Sequence, residues 1–505
     1  MYGGGARDPT HEQLRRPSAI RVDPPEPSGG RFYSGPVATT PLERSSAHTA
    51  WVRHLAARDA LGAIAVAAAI PFLFLHERYQ PELALDAGAT SVEVRPSDLA
   101  VLALALVAAV AAARGGAGRL RAGRPLWIAG GLLLAWLAFA ALRPASLDDA
   151  RFDDHLVSFL KLVEYALLAL VVPLLVRTAR DLTIVLGALV LWCGIAVCVA
   201  LLQFFGLDVF DAWNPGWRQP SFLGHHDLAA LAALTVTLAL AWILAGRRRI
   251  PASRLAPRAL AAGVLGLVVA GSVAAAGGLA LGAAGAVLAA RRRFSPSLRQ
   301  VLAVAGVVAV VAGGVTAVRG DALEDFLRFV GVRGDEPPQG VETYSQRTVL
   351  AYIGLRIFAD EPVLGVGWQR SSRPEVFEPY VDDARRRFPD VVERAFPAEG
   401  REWGVQNLYV QVLADTGLVG LVLLFAVGAS GVALAARAVR HAPDPWAAGG
   451  GLVALAALLT IAGEWASLGI VAGIPLQAAT CLLLGLAAAG AAVARDTRDG
   501  VGDLG

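Results

Sequence analysis

Long apolar runs recur from Asp59 to the C-terminus, broken by short polar stretches rich in arginine, glycine and proline. A helix needs about 20 mostly apolar residues to cross a bilayer, and tilting or burial accommodates shorter ones. The runs predict twelve spans near 60–75, 99–113, 126–142, 156–176, 182–206, 224–246, 259–273, 277–290, 301–317, 407–436, 447–469 and 473–494. The expected fold class is all-α, a polytopic transmembrane helical bundle of about twelve spans with a helical extracytoplasmic cap between spans nine and ten.

Arginine bias in the short loops orients the bundle. Loops 114–125, 177–181, 247–258, 291–299 and 437–441 together carry 17 arginines and one acid, Asp181, whereas loops 76–98, 143–155 and 207–223 carry 5 arginines and 11 acids. The first set is expected in the cytoplasm and the second outside, with both termini inside. The predicted organisation is a cytoplasmic tail over 1–58, spans one to nine over 59–317, the cap over 318–405, spans ten to twelve over 406–494, and a C-terminal tail over 495–505. Within the cap, "DALEDFLRFVGV", "SQRTVLAYIGLRIFAD" and "PEVFEPYVDDARRRF" read as short amphipathic helices, and "EPVLGVGWQ" as a glycine-hinged turn.

Composition narrows the class further. Of 505 residues 55% are hydrophobic, and mean hydropathy is positive. The basic excess is carried by arginine, with Lys161 the only lysine, and no nucleic-acid partner is indicated. Cys193, Cys198 and Cys481 all lie inside apolar runs, which offers neither a disulfide framework nor a metal site. Residues 1–58, rich in Gly, Pro, Ser and Arg, have no apolar h-region and no cleavage site, and read as a disordered tail. The cap holds 12 arginines and 16 acids, so an anion site there must be built from particular arginines.

Polar groups inside a bilayer cost about 2.5 to 3.5 kcal/mol each for Arg, Lys or Asp near a helix centre, so each needs a partner or a task. In "RQPSFLGHHDLAALAAL", Arg218 is the only basic residue of its loop, while His225, His226 and Asp227 open the sixth span. Two readings stand: a helix start with an acid favourably placed in its first turn, or a polar cavity in which Arg218 and a histidine hold an anion. Lys161 and Glu164, one turn apart, read as a structural pair. Glu464, beside Trp465, fits an interfacial position and takes no catalytic assignment. Asn407, Gln411 and Asp415 are spaced four apart and form one helical stripe, either helix-to-helix hydrogen bonding or a substrate surface, with Gln406 at its mouth.

The order "RQPSFLGHHDLAAL", "SQRTVLAYIGLRIFADEPVLGVG", "QNLYVQVLADTGLVGL", together with the loop between spans nine and ten, resembles the O-antigen ligase and O-antigen polymerase superfamily. The resemblance implies a membrane glycosyltransferase of a bacterial cytoplasmic membrane that polymerises or transfers glycan at the outer face, in cell-surface polysaccharide biosynthesis. It implies an undecaprenyl-diphosphate-linked glycan donor, a glycan or lipid-linked acceptor, and no metal, nucleotide sugar or other cofactor. Arg218 and Arg347 match arginines implicated in diphosphate contact, and His225 matches a histidine of the "GHxN" segment. A guanidinium suits that contact because it stays protonated and donates in a planar fork.

Two positions depart from the family pattern. Gln406 stands where members usually carry a histidine, and an amide hydrogen-bonds but does not take up a proton. Ala275 and Ala276, in "AGSVAAAGGLALG", stand where a Ser-Arg pair is common. A base is then sought at Glu402, His226 or Asp227, while Asn407, Gln411 and Asp415 join the substrate-binding candidates. A secondary transporter and an inactive scaffold stay open as alternatives, although no repeat of two six-span halves is visible.

Overall fold

The computed structural model describes residues 60–87, 90–147, 151–246, 252–329, 343–469 and 474–502. The expected tail over 1–58 lies outside these residues. Each of the twelve apolar runs forms a helix: α1 (Leu61–Leu73), α2 (Pro96–Ala113), α3 (Arg124–Ala141), α4 (Phe152–Leu175), α5 (Ala179–Phe204), α6 (His225–Ala245), α7 (Ala256–Ala270), α8 (Val273–Arg291) and α9 (Leu298–Phe329) come first. After α10 (Thr343–Asp360) and α11 (Val381–Arg387) follow α12 (Leu408–His441), α13 (Pro445–Glu464) and α14 (Ile474–Gly502). Among the described residues eleven helices are long and apolar enough to cross a membrane; α1, with 13 residues, is shorter. The chain is a polytopic all-α membrane protein.

Helix starts follow local chemistry. Before α5, Thr178 Oγ1 accepts from the Asp181 amide (3.2 Å) and Asp181 returns the favour to the Thr178 amide (2.9 Å), a reciprocal cap that satisfies two otherwise orphaned donors. Before α2, Pro96 occupies the first turn and Asp98 accepts from the Arg95 amide at 2.8 Å.

The most enclosed helix is α6, with 89% of its most apolar window buried, as its apolar residues on every side lead one to expect. Small residues let other helices touch backbone to backbone. A Cβ at Gly278 of α8 would lie 2.3 Å from the Thr460 carbonyl of α13, and one at Gly463 of α13 would lie 2.4 Å from Gly278 Cα. In a bilayer such close approach, more than hydrophobicity, holds helices together.

Three details refine the sequence expectation. Strands β1 (Leu83–Ala87) and β2 (Thr90–Val94) pair antiparallel within the loop before α2, so that loop is not bare coil. The helix expected from Asp321 runs to Phe329 as a second piece of α9, set off by a backbone break at Arg319, and the rest of that stretch lies outside the described residues. Lys161 takes Asp98 of α2 as its close partner, with Glu164 4.0 Å away; Tyr165 also donates to Asp98, at 3.3 Å. The carboxylate on the neighbouring helix wins because a cross-helix pair neutralises two charges within the packed interface.

One interruption positions the segment 343–405. At Gly417 the backbone of α12 leaves the helix with φ +68°. Into this break fits "EPVLGVG": the Val366 and Gly367 amides donate to Ala414 O (2.9 Å) and Asp415 O (2.8 Å), and the Leu418 amide donates to Pro362 O (2.9 Å). Only glycine fits at the crossing, because a Cβ at Gly417 would lie 2.1 Å from Val363 O and one at Gly365 2.4 Å from the Asp415 carbonyl carbon. A separate apolar cluster then holds α10 and α11 together through Val349, Ile353, Ile357, Phe377 and Ala384.

Candidate functional site

The loop before α6 is stapled on two sides. Ser221, buried at φ +57°, donates from its amide to Gln203 Oε1 (2.8 Å) and from Oγ to Ala196 O of α5 (2.8 Å). The Gln219 amide donates to Val269 O at the end of α7 (2.9 Å), while its side-chain oxygen accepts from the Trp213 amide (2.9 Å). Between these staples Arg218 projects, with its guanidinium carbon 4.5 Å from the Trp213 ring centre. Trp213 lies 4.9 Å from the ring of His225, and His225 lies 3.9 Å from the ring of His226. Gly224, at φ +89°, turns the chain into α6 and so brings both histidines to the helix start.

Arg347, in the first turns of α10, closes the other side. Its Nε donates to Gln406 Oε1 at 2.8 Å, and its Nη2 lies 3.1 Å from His226 Nε2. A guanidinium only donates, so that imidazole nitrogen accepts and carries no proton, which leaves the ring proton on Nδ1. These groups line a cavity of ≈ 460 Å³ with Ser372, Gly404, Val405, Gln411, Leu468 and Gly469. No Asp or Glu stands in its wall among the described residues. Two guanidinium groups facing one cavity are the chemistry that suits an anion.

The fold therefore brings Arg218, His225, His226, Arg347, Gln406 and Gln411 together. It places the other sequence candidates elsewhere. Glu402 is bound to Arg151 (3.0 Å) and Arg373 (2.5 Å) at the surface. Asp227 is buried one residue past the cavity wall and accepts a hydrogen bond from the Leu476 backbone. Asn407 is the residue that caps α12, accepting from the Tyr409 and Val410 amides (both 3.1 Å) and donating to Ala466 O (2.8 Å). Asp415 accepts from the Ser371 amide at 2.9 Å and so anchors the docked segment. The stripe expected of one helical face thus has three tasks: a cap, a cavity wall and an anchor. Glu464 is 2% exposed, with neither carboxyl oxygen partnered among the described residues, which replaces the interfacial expectation with a buried one.

Trp213 and Ser372 belong to the site and escaped sequence reading. A Trp-rich loop beside Arg218 is a visible signal for the first; the second is near the cavity only because its segment folds back onto α12. Among groups of His, Cys, Asp and Glu within the described residues, none of three or more could hold a metal ion.

Residues 259–425 match the family model described as O-Antigen ligase. The match runs from α7 into α12, takes in Arg347, Gln406 and Gln411, and supports membership of the O-antigen ligase superfamily. No curated protein matches the chain.

Proposed function

We propose that this chain is a glycosyltransferase of the O-antigen ligase or polymerase type, taking glycan from an undecaprenyl-diphosphate carrier at the outer face of a bacterial cytoplasmic membrane. The observation that carries the reading is the cavity where Arg218 and Arg347 meet His225, His226 and Gln406. In this reading the donor diphosphate lies between Arg218 and Arg347. The acceptor hydroxyl attacks the anomeric carbon, and the bond from that carbon to the diphosphate oxygen breaks with its electron pair passing to the diphosphate.

Arg347 holds two acceptor atoms of the cavity wall, Gln406 Oε1 and His226 Nε2. When the diphosphate draws Arg347 onto itself, both atoms are released to the incoming hydroxyl. Gln406 then orients the hydroxyl, and His226 Nε2 takes its proton. A transferase lacking histidine at 406 keeps a general base by this arrangement, and the base is uncovered only when donor is present.

Deletion of the gene followed by analysis of lipid-linked glycans tests the function. Accumulated single repeat units would mark a polymerase, and accumulated long chains a ligase. Unchanged lipid-linked glycans would overturn both and favour a transporter or scaffold.

A further inference from the structure

The ninth membrane helix breaks where it reaches the site. At Arg319 the backbone of α9 leaves helical values (φ −121°, ψ 17°). The side chain leaving that break lies over Gly271, the left-handed residue (φ +61°) that ends α7. Cγ and Cδ of Arg319 lie 3.4 and 3.5 Å from where a Cβ on Gly271 would stand, and Arg218 Cβ lies 3.1 Å from the same point. Two arginine stems from separate elements therefore converge over one residue that has no side chain. The positive charges of Arg218, Arg347 and Arg319 all act on His225 and on His226.

Resting on the reading of the cavity as a diphosphate site, we propose that Arg319 is its third guanidinium and serves the departing diphosphate more than the bound donor. A diphosphate joined to lipid at one end and sugar at the other has one ionised oxygen on each phosphorus. Cleavage of the sugar bond leaves the former bridging oxygen with the electron pair, and so adds a third negative charge at the sugar-side phosphorus. Arg218 and Arg347 match the two charges of the donor. A further fixed cation beside Arg218 matches the charge that appears only as the bond breaks, the place where preorganised charge accelerates a reaction.

The test uses full-length protein in lipid nanodiscs, with binding of undecaprenyl diphosphate and undecaprenyl phosphate measured side by side. Arg319→Gln keeps the Cγ and Cδ that cover Gly271 and removes only the charge. It should weaken undecaprenyl diphosphate binding by about ten- to a hundredfold, the range of one charge-assisted hydrogen bond, and undecaprenyl phosphate binding far less. Arg319→Lys should fall between, and Arg394→Gln, at an exposed arginine of the 343–405 segment, should match the parent. Equal loss for both lipids, or no loss while Arg218→Gln still weakens binding, overturns the role of Arg319 and leaves the cavity reading standing. Parent protein that does not bind undecaprenyl diphosphate overturns both.

Discussion

Arg347 is the residue on which the site's chemistry turns, because it touches both atoms an acceptor hydroxyl would need. Arg347→Ala should abolish most transfer, whereas Arg347→Lys, a point charge without the fork, should restore only part of it. His226→Gln keeps a hydrogen-bonding side chain and removes the base, so turnover should fall about 10²- to 10⁴-fold in a reconstituted assay. Gln406→Ala should lower it by a few-fold only, and Gln406→His should raise it by putting a second base beside Arg347. A large loss at Gln406 with none at His226 would reverse the two roles. The sequence displayed all these residues but not their contacts: Arg347 and Gln406 are 59 positions apart, and His226 is 121 positions from Arg347.

At the scale of elements, the interrupted helix α12 and the "EPVLGVG" turn form one joint. A residue other than glycine at φ > 0 costs roughly 1–2 kcal/mol before any clash, and Gly417→Ala adds a Cβ that would stand 2.1 Å from Val363 O. That substitution should unseat the segment 343–405, seen as faster trypsin cleavage at Arg370 while the membrane helices stay protected. Asp415→Ala should do the same, because it strips the buried Ser371 amide of an acceptor, a loss of about 1–3 kcal/mol. Parent-like cleavage in both variants would mean the joint does not hold the segment. Glycines in the turn were legible as a hinge; that the hinge plugs a break in a membrane helix was not, since nothing local marks Gly417 apart from the other glycines of its helix.

For the whole molecule the decisive question is which side of the membrane the cavity faces. Arginine bias leads to the expectation that the 343–405 segment lies outside. In a background without native cysteines, Asp382→Cys should react with an impermeant thiol reagent added to intact cells, and Arg254→Cys should react only after the membrane is opened. Both positions are exposed. The reverse pattern would put the cavity in the cytoplasm and remove the outer-face donor from the proposal.

Periodicity and composition by themselves determined the class and the helices, because a bilayer forces each spanning segment to satisfy its own backbone, and a long apolar run is therefore a helix whatever its neighbours. They also marked Arg218 and the histidines as polar groups out of place in such a chain, whereas Arg347 and the departure at Gln406 came from the family resemblance. Only the tertiary structure decided which of them share a cavity. It separated Asn407, Gln411 and Asp415, three residues of one spacing, into cap, wall and anchor, and it sent Glu402 to surface arginines. It also brought Arg319, unremarkable at the end of an apolar run, beside Arg218. The physical reason is that helix formation depends on neighbours within one turn, whereas a charge finds its partner across helices, where packing of small residues and breaks in two helices set the distances.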